Sequence, residues 1–400
     1  MNLLLLRNAQ IYAPEPLGQQ HLLLGGGRIL WMGTTLSELP ATLAVQTIDL
    51  QGRRLIPGLI DAHVHVTGGG GEAGFRTRVP PLGVSRFTRA GITTVVGLLG
   101  TDDIARGPRD LLATVYALRE EGLTALAFTG GYHVPPQTLT GSVRGDLVFI
   151  EALIGIGEVA ISDHRSSQPT LDELLRLASD AHVAGLMTGK AGVLHLHLGD
   201  GLRGLDLVRC ALEQSELPPR VFHPTHVNRR KALFDEALEL ARRGCTIDLT
   251  AFPVEEGEDA WSATDALMRY LDSGAPAERI TVSSDAGGCL PVFDADGHVC
   301  QMGVGESGAL LETLHDLLQR GVPMERVLPA FTSNPARLLR LSAKGRIRVG
   351  ADADLVALDD ANTAHDVWAG GVAHVRGGHI EHHGTFENAP PTFAASEWVG

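Results

Sequence analysis

At 400 residues, with 44% hydrophobic and 20% charged residues, the chain has the make-up of a folded globular protein long enough for a large domain and a smaller one. A formal net charge of −14 argues against nucleic acid or an anionic membrane as the main partner. Four cysteines (Cys210, Cys245, Cys289, Cys300) without paired spacing predict neither a disulfide framework nor a thiolate metal site. That suits a reducing compartment.

The N-terminal "MNLLLLRNAQIY" is too short in apolar residues for a signal-peptide core and reads as a strand. No run reaches membrane-spanning length, so a cytoplasmic protein is expected. The strings "HLLLGGGRILWMG" and "AVQTIDLQGRRLIPG" continue as strands and hairpins, and the C-terminal "GRIRVGADADLVALDD" and "DVWAGGVAHVRGGHIE" repeat the style.

Between these ends, short apolar strings alternate with longer amphipathic ones. Eight strands are predicted at 59–66, 92–100, 123–130, 157–162, 192–199, 220–227, 245–250 and 279–285. Helical patterns such as "LDELLRLASDAHVAGLM", "KALFDEALELARRG" and "SGALLETLHDLLQRG" accompany them. Such alternation predicts a (β/α)₈ TIM-like barrel, with an open doubly wound sheet as the alternative. Most of the strands are apolar until their C-terminal ends, where His, Asp, Thr or Glu enter, and active sites of such barrels lie at that face.

In "LIDAHVHV", His63 and His65 stand two apart, so both rings point to one face of a strand. His197 ends "VLHLHLGD", His226 ends "FHPTHVN" and Asp285 ends "VSSD". Imidazoles and a carboxylate converging from different strands suit Zn²⁺ or a similar divalent ion. His195 shares the face of His197 one layer deeper and reads as a core or supporting residue. His223, three before His226, is expected on the opposite face of a regular strand.

The set H-x-H, later His, later His, later Asp resembles the amidohydrolase superfamily, and "LIPGLIDAHVH" and "GADADLVALD" resemble its flanking segments. The strings "GGGGEAG", "GLLGTD", "GGYHVP", "TGSV", "AISDHRS", "PTHVNR" and "SSDAGG", in that order, are similar to the isoaspartyl dipeptidase family within it. This resemblance, covering nearly the whole chain, implies a barrel (58–345) with a small β-sandwich domain built from both termini (1–57 plus 346–390). It also implies two divalent ions, zinc in the first instance, a β-aspartyl dipeptide substrate and a homo-octamer.

Carried over by residue, His63, His65 and Asp285 would hold one ion and His197 and His226 the other. Glu72 would face the substrate ammonium, with Gly70, Gly71, Thr101, Tyr132, Arg165 and Arg229 as further contacts. The glycines would let backbone N–H groups approach the substrate closely. The implied reaction is hydrolysis of the isopeptide bond by a water activated between the ions. Asp285 would be general base and then acid, and Tyr132 would donate to the developing oxyanion.

Two positions depart from the family. Glu158 stands where a carboxylated lysine would bridge the ions, and Cys289 where a substrate-contacting serine is found. The only lysines are Lys190, Lys231 and Lys344, none at the end of the fourth strand, so Glu158 is expected to bridge directly, aided by a bulge that moves it inward. Two competing functions remain open: a cyclic amide hydrolase of the dihydroorotase or hydantoinase kind, and a scaffold of this fold that binds no metal.

Overall fold

The computed structural model describes residues 3–35, 43–293 and 298–387; residues 1–2, 36–42 and 388–390 of the expected small domain and 294–297 of the expected barrel lie outside them. The N-terminal strands are β1 (Leu3–Tyr12), β2 (Pro16–Gly25), β3 (Arg28–Gly33), β4 (Val45–Asp49) and β5 (Arg54–Pro57). All eight expected βα strands follow: β6 (Leu59–Val64), β7 (Ile92–Gly97), β8 (Thr124–Thr129), β9 (Leu153–Ile161), β10 (Val193–Leu198), β11 (Phe222–Thr225), β12 (Ile247–Thr250) and β13 (Ile280–Ser283). A hairpin of β14 (Cys289–Phe293) and β15 (Val299–Val304), absent from the sequence reading, comes next. Then come β16 (Leu355–Leu358), β17 (Ala364–Ala369), β18 (Val372–Arg376) and β19 (His379–Ile380).

Strands β6 to β11 form a parallel sheet in sequential order, and β12 and β13 form a parallel pair. β12 lies beside β11 and β13 beside β6, and Val64 bridges Ala286 in parallel fashion. The result is a curled parallel sheet consistent with a TIM-like barrel. A doubly wound sheet would reverse its strand order at a switch point, and this order does not reverse.

Nearly every residue of these strands is buried, as expected of strands covered on both faces, which therefore read as continuous apolar runs rather than alternating ones. The amphipathic helices Leu171–Thr188, Lys231–Arg242 and Gly308–Gln319 supply Leu174, Leu233, Leu310 and their neighbours to the same core.

Both ends of the chain share one nine-stranded sheet, in the order β19-β18-β17-β16-β5-β1-β2-β3 with β4 on β1. Strand β5 joins the two ends by pairing parallel to β1 and antiparallel to β16. This sheet has its own core, including Leu6, Ile11, Leu22, Leu355 and the fully buried Trp368.

Candidate active site

The ligand candidates cluster at the C-terminal ends of strands. His63 lies in β6 with His65 just after it, Glu158 in β9 and His197 in β10. His226 follows β11 by one residue and Asp285 follows β13 by two. His226 and Asp285 have left-handed backbone (φ 60° and 53°), which breaks strand alternation where the chain leaves the sheet.

That break corrects one expectation. His223 does not lie on the far face from His226; both point into the interior, His223 against His195 (2.8 Å between Nδ1 atoms) and His226 toward Glu158. A second irregularity positions Glu158. Leu194 of β10 pairs with Ile156 but Leu196 pairs with Val159, so β9 carries an extra residue at Gly157–Glu158. Such a bulge re-aims a side chain.

Glu158 is the hub of the cluster. Its Oε2 lies 3.5 Å from His63 Nε2, 3.1 Å from His197 Nδ1 and 3.4 Å from His226 Nε2, and its Oε1 lies 3.4 Å from His65 Nε2. Asp285 Oδ1 is 3.3 Å from His63 Nε2 and 3.1 Å from His65 Nε2. Within this cluster two sets of candidate ligand atoms come together within 4.8 Å: His63, His65 and Asp285, and His63, Glu158 and His226. His197 joins neither set; it turns Nδ1 to Glu158 and Nε2 to Asp163 (2.9 Å).

Burial alone would push the Glu158 and Asp285 carboxyls up, but the imidazoles around them hold both well below the ordinary range. Burial works to lower His65, yet Asp285 and Glu158 beside it push it up to about 10. Burial prevails at His226, which falls to about 3 despite Glu158. His63 Nε2 and Asp285 Oδ1 are buried and have no hydrogen-bond partner among the described residues. Orphaned nitrogen and oxygen atoms aimed at one small volume are costly unless a cation satisfies them, and the donor set fits a divalent ion.

A small, narrow cavity opens on this cluster, lined by Gly70, Glu72, Thr101, Tyr132, Arg165, Arg229 and Cys289 of the expected substrate contacts. Gly71 does not line it. Glu72 Oε1 accepts from Thr101 Oγ1 (3.0 Å) and lies 3.5 Å from Arg165 Nη1, while its Oε2 is buried without a partner. Arg165 places its planar fork on Asp163, with Nε to Oδ1 at 3.0 Å and Nη2 to Oδ2 at 2.7 Å. Among the described residues, the Arg229 guanidinium has no ion pair or hydrogen bond. The Tyr132 hydroxyl sits 2.8 Å from His197 Nδ1, and burial, then the Glu158 charge, keeps its phenol protonated well above the ordinary range.

Three lining or supporting residues escaped the sequence reading. Gly69 and Gly100 line the cavity, and Asp163 orients both Arg165 and His197. A Cβ on Gly100 would lie 2.7 Å from His65 Cε1, so only glycine fits beside that ring. The strings "GLLGTD" and "AISDHRS" contain Gly100 and Asp163 but give no sign of these contacts.

A curled parallel sheet with histidines and carboxylates at its C-terminal rim defines a class of hydrolase, and residues 54–378 match the amidohydrolase family. The chain belongs to that family. Within it, the chain is similar to the β-aspartyl dipeptidase of Fervidobacterium islandicum AW-1, solved in complex with β-Asp-Leu. Identity is 40% and the TM-score 0.88, with 95% of this chain and 98% of that one covered. An allantoinase of Deinococcus radiodurans is 26% identical over 99% of this chain and 96% of its own length. A deacetylase of Agrobacterium fabrum is 25% identical over 84% and 78%.

Proposed function

We propose that this protein is a metal-dependent dipeptidase that hydrolyses the isopeptide bond of β-aspartyl dipeptides. The observation that carries the reading is the cavity itself. It sets a half-buried carboxylate with one unpartnered oxygen (Glu72) and a guanidinium unpaired among the described residues (Arg229) beside a His/carboxylate cluster, a charge pattern complementary to a zwitterionic dipeptide. The dipeptide in the Fervidobacterium complex supports the same substrate class.

In this reading His63, His65 and Asp285 would hold one divalent ion, zinc in the first instance, and His197 and His226 the other, with Glu158 as a further carboxylate ligand. When bound, the ions supply Lewis-acid polarisation of the amide carbonyl and lower the pKa of water. Asp285, kept ionised, takes the proton of the attacking water and passes it to the leaving amine as the C–N bond breaks. Tyr132, kept protonated, donates to the developing oxyanion. Glu72 binds the α-ammonium. Arg229 receives a substrate carboxylate through two parallel bonds, whereas Arg165, its fork already filled by Asp163, orients Glu72. Gly70 and Thr101 line the cavity beside Glu72, and Cys289 lines it as well.

The proposal extends to the molecule. The nine-stranded sheet folds over its own core as a small sandwich, from residues 1–57 and 346–390, beside a closed barrel of 58–345. The protein is a cytoplasmic homo-oligomer, for which the exposed Phe75, Phe149 and Leu202 supply apolar contact surface. Turnover of β-Asp-Leu compared with allantoin and a hydantoin tests the substrate class. The similarity to allantoinase makes cyclic amide hydrolysis the second reading. Preference for a cyclic amide would establish that second reading and overturn the first.

A further inference from the structure

Beneath the cluster runs a row of buried polar groups that the proposed hydrolysis does not use. His63 Nδ1 lies 2.8 Å from His195 Nε2, His195 Nδ1 lies 2.8 Å from His223 Nδ1, and His223 Nε2 lies 3.3 Å from Thr281 Oγ1. Thr281 Oγ1 donates to Asp248 Oδ1 at 2.5 Å, and Asp248 Oδ2 accepts from Thr225 Oγ1 at 2.8 Å and Ser283 Oγ at 2.6 Å. Each of these residues is 0% exposed. A Cβ on Gly157 would lie 2.8 Å from His195 Cβ, so the residue before Glu158 makes room for the second ring.

The row has one direction. A carboxylate taking three hydroxyl hydrogens has none to give, so Thr281 spends its proton on Asp248 and its oxygen accepts from His223 Nε2–H. The bare Nδ1 of His223 then accepts from His195 Nδ1–H, and the bare Nε2 of His195 accepts from His63 Nδ1–H. This leaves His63 Nε2 with its lone pair facing Asp285 and Glu158. Each 2.8 Å ring-to-ring contact needs one N–H and one bare nitrogen, so His195 and His223 each present one donor and one acceptor.

We propose that Asp248, Thr281, His223 and His195 form a positioning relay that fixes His63 in its Nδ1–H tautomer, aims Nε2 at the bound ion and so sets metal affinity. Metal-binding histidines commonly donate their other N–H directly to a carboxylate or carbonyl; here the carboxylate acts through two further rings and a hydroxyl, crossing from β6 to β12. Interiors of such barrels are ordinarily filled by branched apolar side chains, and buried polar groups are tolerated only when every one is satisfied. The relay rests on the reading of His63 as a ligand.

The test measures the affinity of the full-length protein for Zn²⁺ by chelator competition, with the absorption of the Co²⁺-loaded protein as a second readout. Thr281→Val and Asp248→Asn should each weaken one ion by about 10- to 100-fold and shift the cobalt spectrum. The double variant should be no weaker than the worse single, because both cut the same chain. Thr281→Ser, which keeps the hydroxyl, should restore wild-type affinity even where Asp248→Asn fails to fold. Equal affinities for Thr281→Val and Thr281→Ser would overturn the relay while leaving the hydrolase intact. A wild-type protein that binds no metal tightly would remove the metal centre and the relay with it.

Discussion

Glu158 faces four imidazoles with one carboxylate, at the position where the family resemblance implies a carboxylated lysine. Its stem is shorter by about three bonds, and the extra residue in β9 brings it inward. Metal-depleted protein should therefore regain full activity with metal alone in bicarbonate-free buffer, binding about two ions per chain as the proposed ligand sets require. Glu158→Ala should lose at least one of them by elemental analysis. A bicarbonate requirement, or unchanged metal content in the alanine variant, would refute direct bridging. Arg229→Lys should keep its metal but lose on the order of 2–4 kcal/mol of transition-state stabilisation in kcat/KM, because a point charge replaces a planar fork in a desolvated site. Near wild-type kcat/KM would mean that Arg229 does not face substrate. The ligand types were legible at this scale because imidazoles and carboxylates at apolar strand ends have few structural uses. The orientation of His223 and the partner of Arg165 were not, since they depend on the left-handed turn at His226 and on Asp163.

Eight parallel strands and the long helices were readable because each carries its own periodicity and stop signals. The helix Leu171–Thr188 begins with a Thr170–Glu173 capping box and ends on Gly189 in left-handed conformation. The β14–β15 hairpin was not readable: β15 is largely exposed, without the inside–outside alternation that marks a strand. In β18, His374 is fully buried with neither ring nitrogen hydrogen-bonded among the described residues, and burial, then His382, lowers it from 6.5 to about 4. The unfolded chain takes up that proton near pH 6.5 while the folded one resists until about 4. The folded state therefore loses stability as pH falls through this window. His374→Leu should shrink the drop in urea midpoint between pH 7 and pH 5. An undiminished drop would place the acid sensitivity elsewhere.

Across the whole molecule the cluster draws on β6, β9, β10 and the turns after β11 and β13, so the proposed ions tie together elements from most of the curled sheet. Binding to the folded state alone stabilises it by mass action. Chelation should lower Tm, and re-added Zn²⁺ should raise it progressively with concentration. A Tm indifferent to metal would contradict a site shared by so many strands. The curled architecture was legible from eight alternating units. The joining of both termini in one unit was implied by the family resemblance and hinted at by their similar style, but the β5–β16 pairing itself joins segments whose sequences carry no mutual signal.

The seam between the first and last strands of the curl has a consequence for how the chain matures. Ser284 N donates to Asp61 Oδ1 at 3.1 Å, its hydroxyl donates to the other oxygen, and the two residues are 223 positions apart. His63 and His65 lie just beyond one side of this seam and Asp285 just beyond the other. During synthesis the two histidines leave the ribosome long before their carboxylate partner does. Contacts of such long sequence separation also close late in refolding, because the loop-closure entropy must be overcome first. In stopped-flow refolding, uptake of tightly held Zn²⁺ should trail the recovery of far-ultraviolet circular dichroism. Simultaneous phases would mean that the seam closes first and the rest of the sheet grows from it.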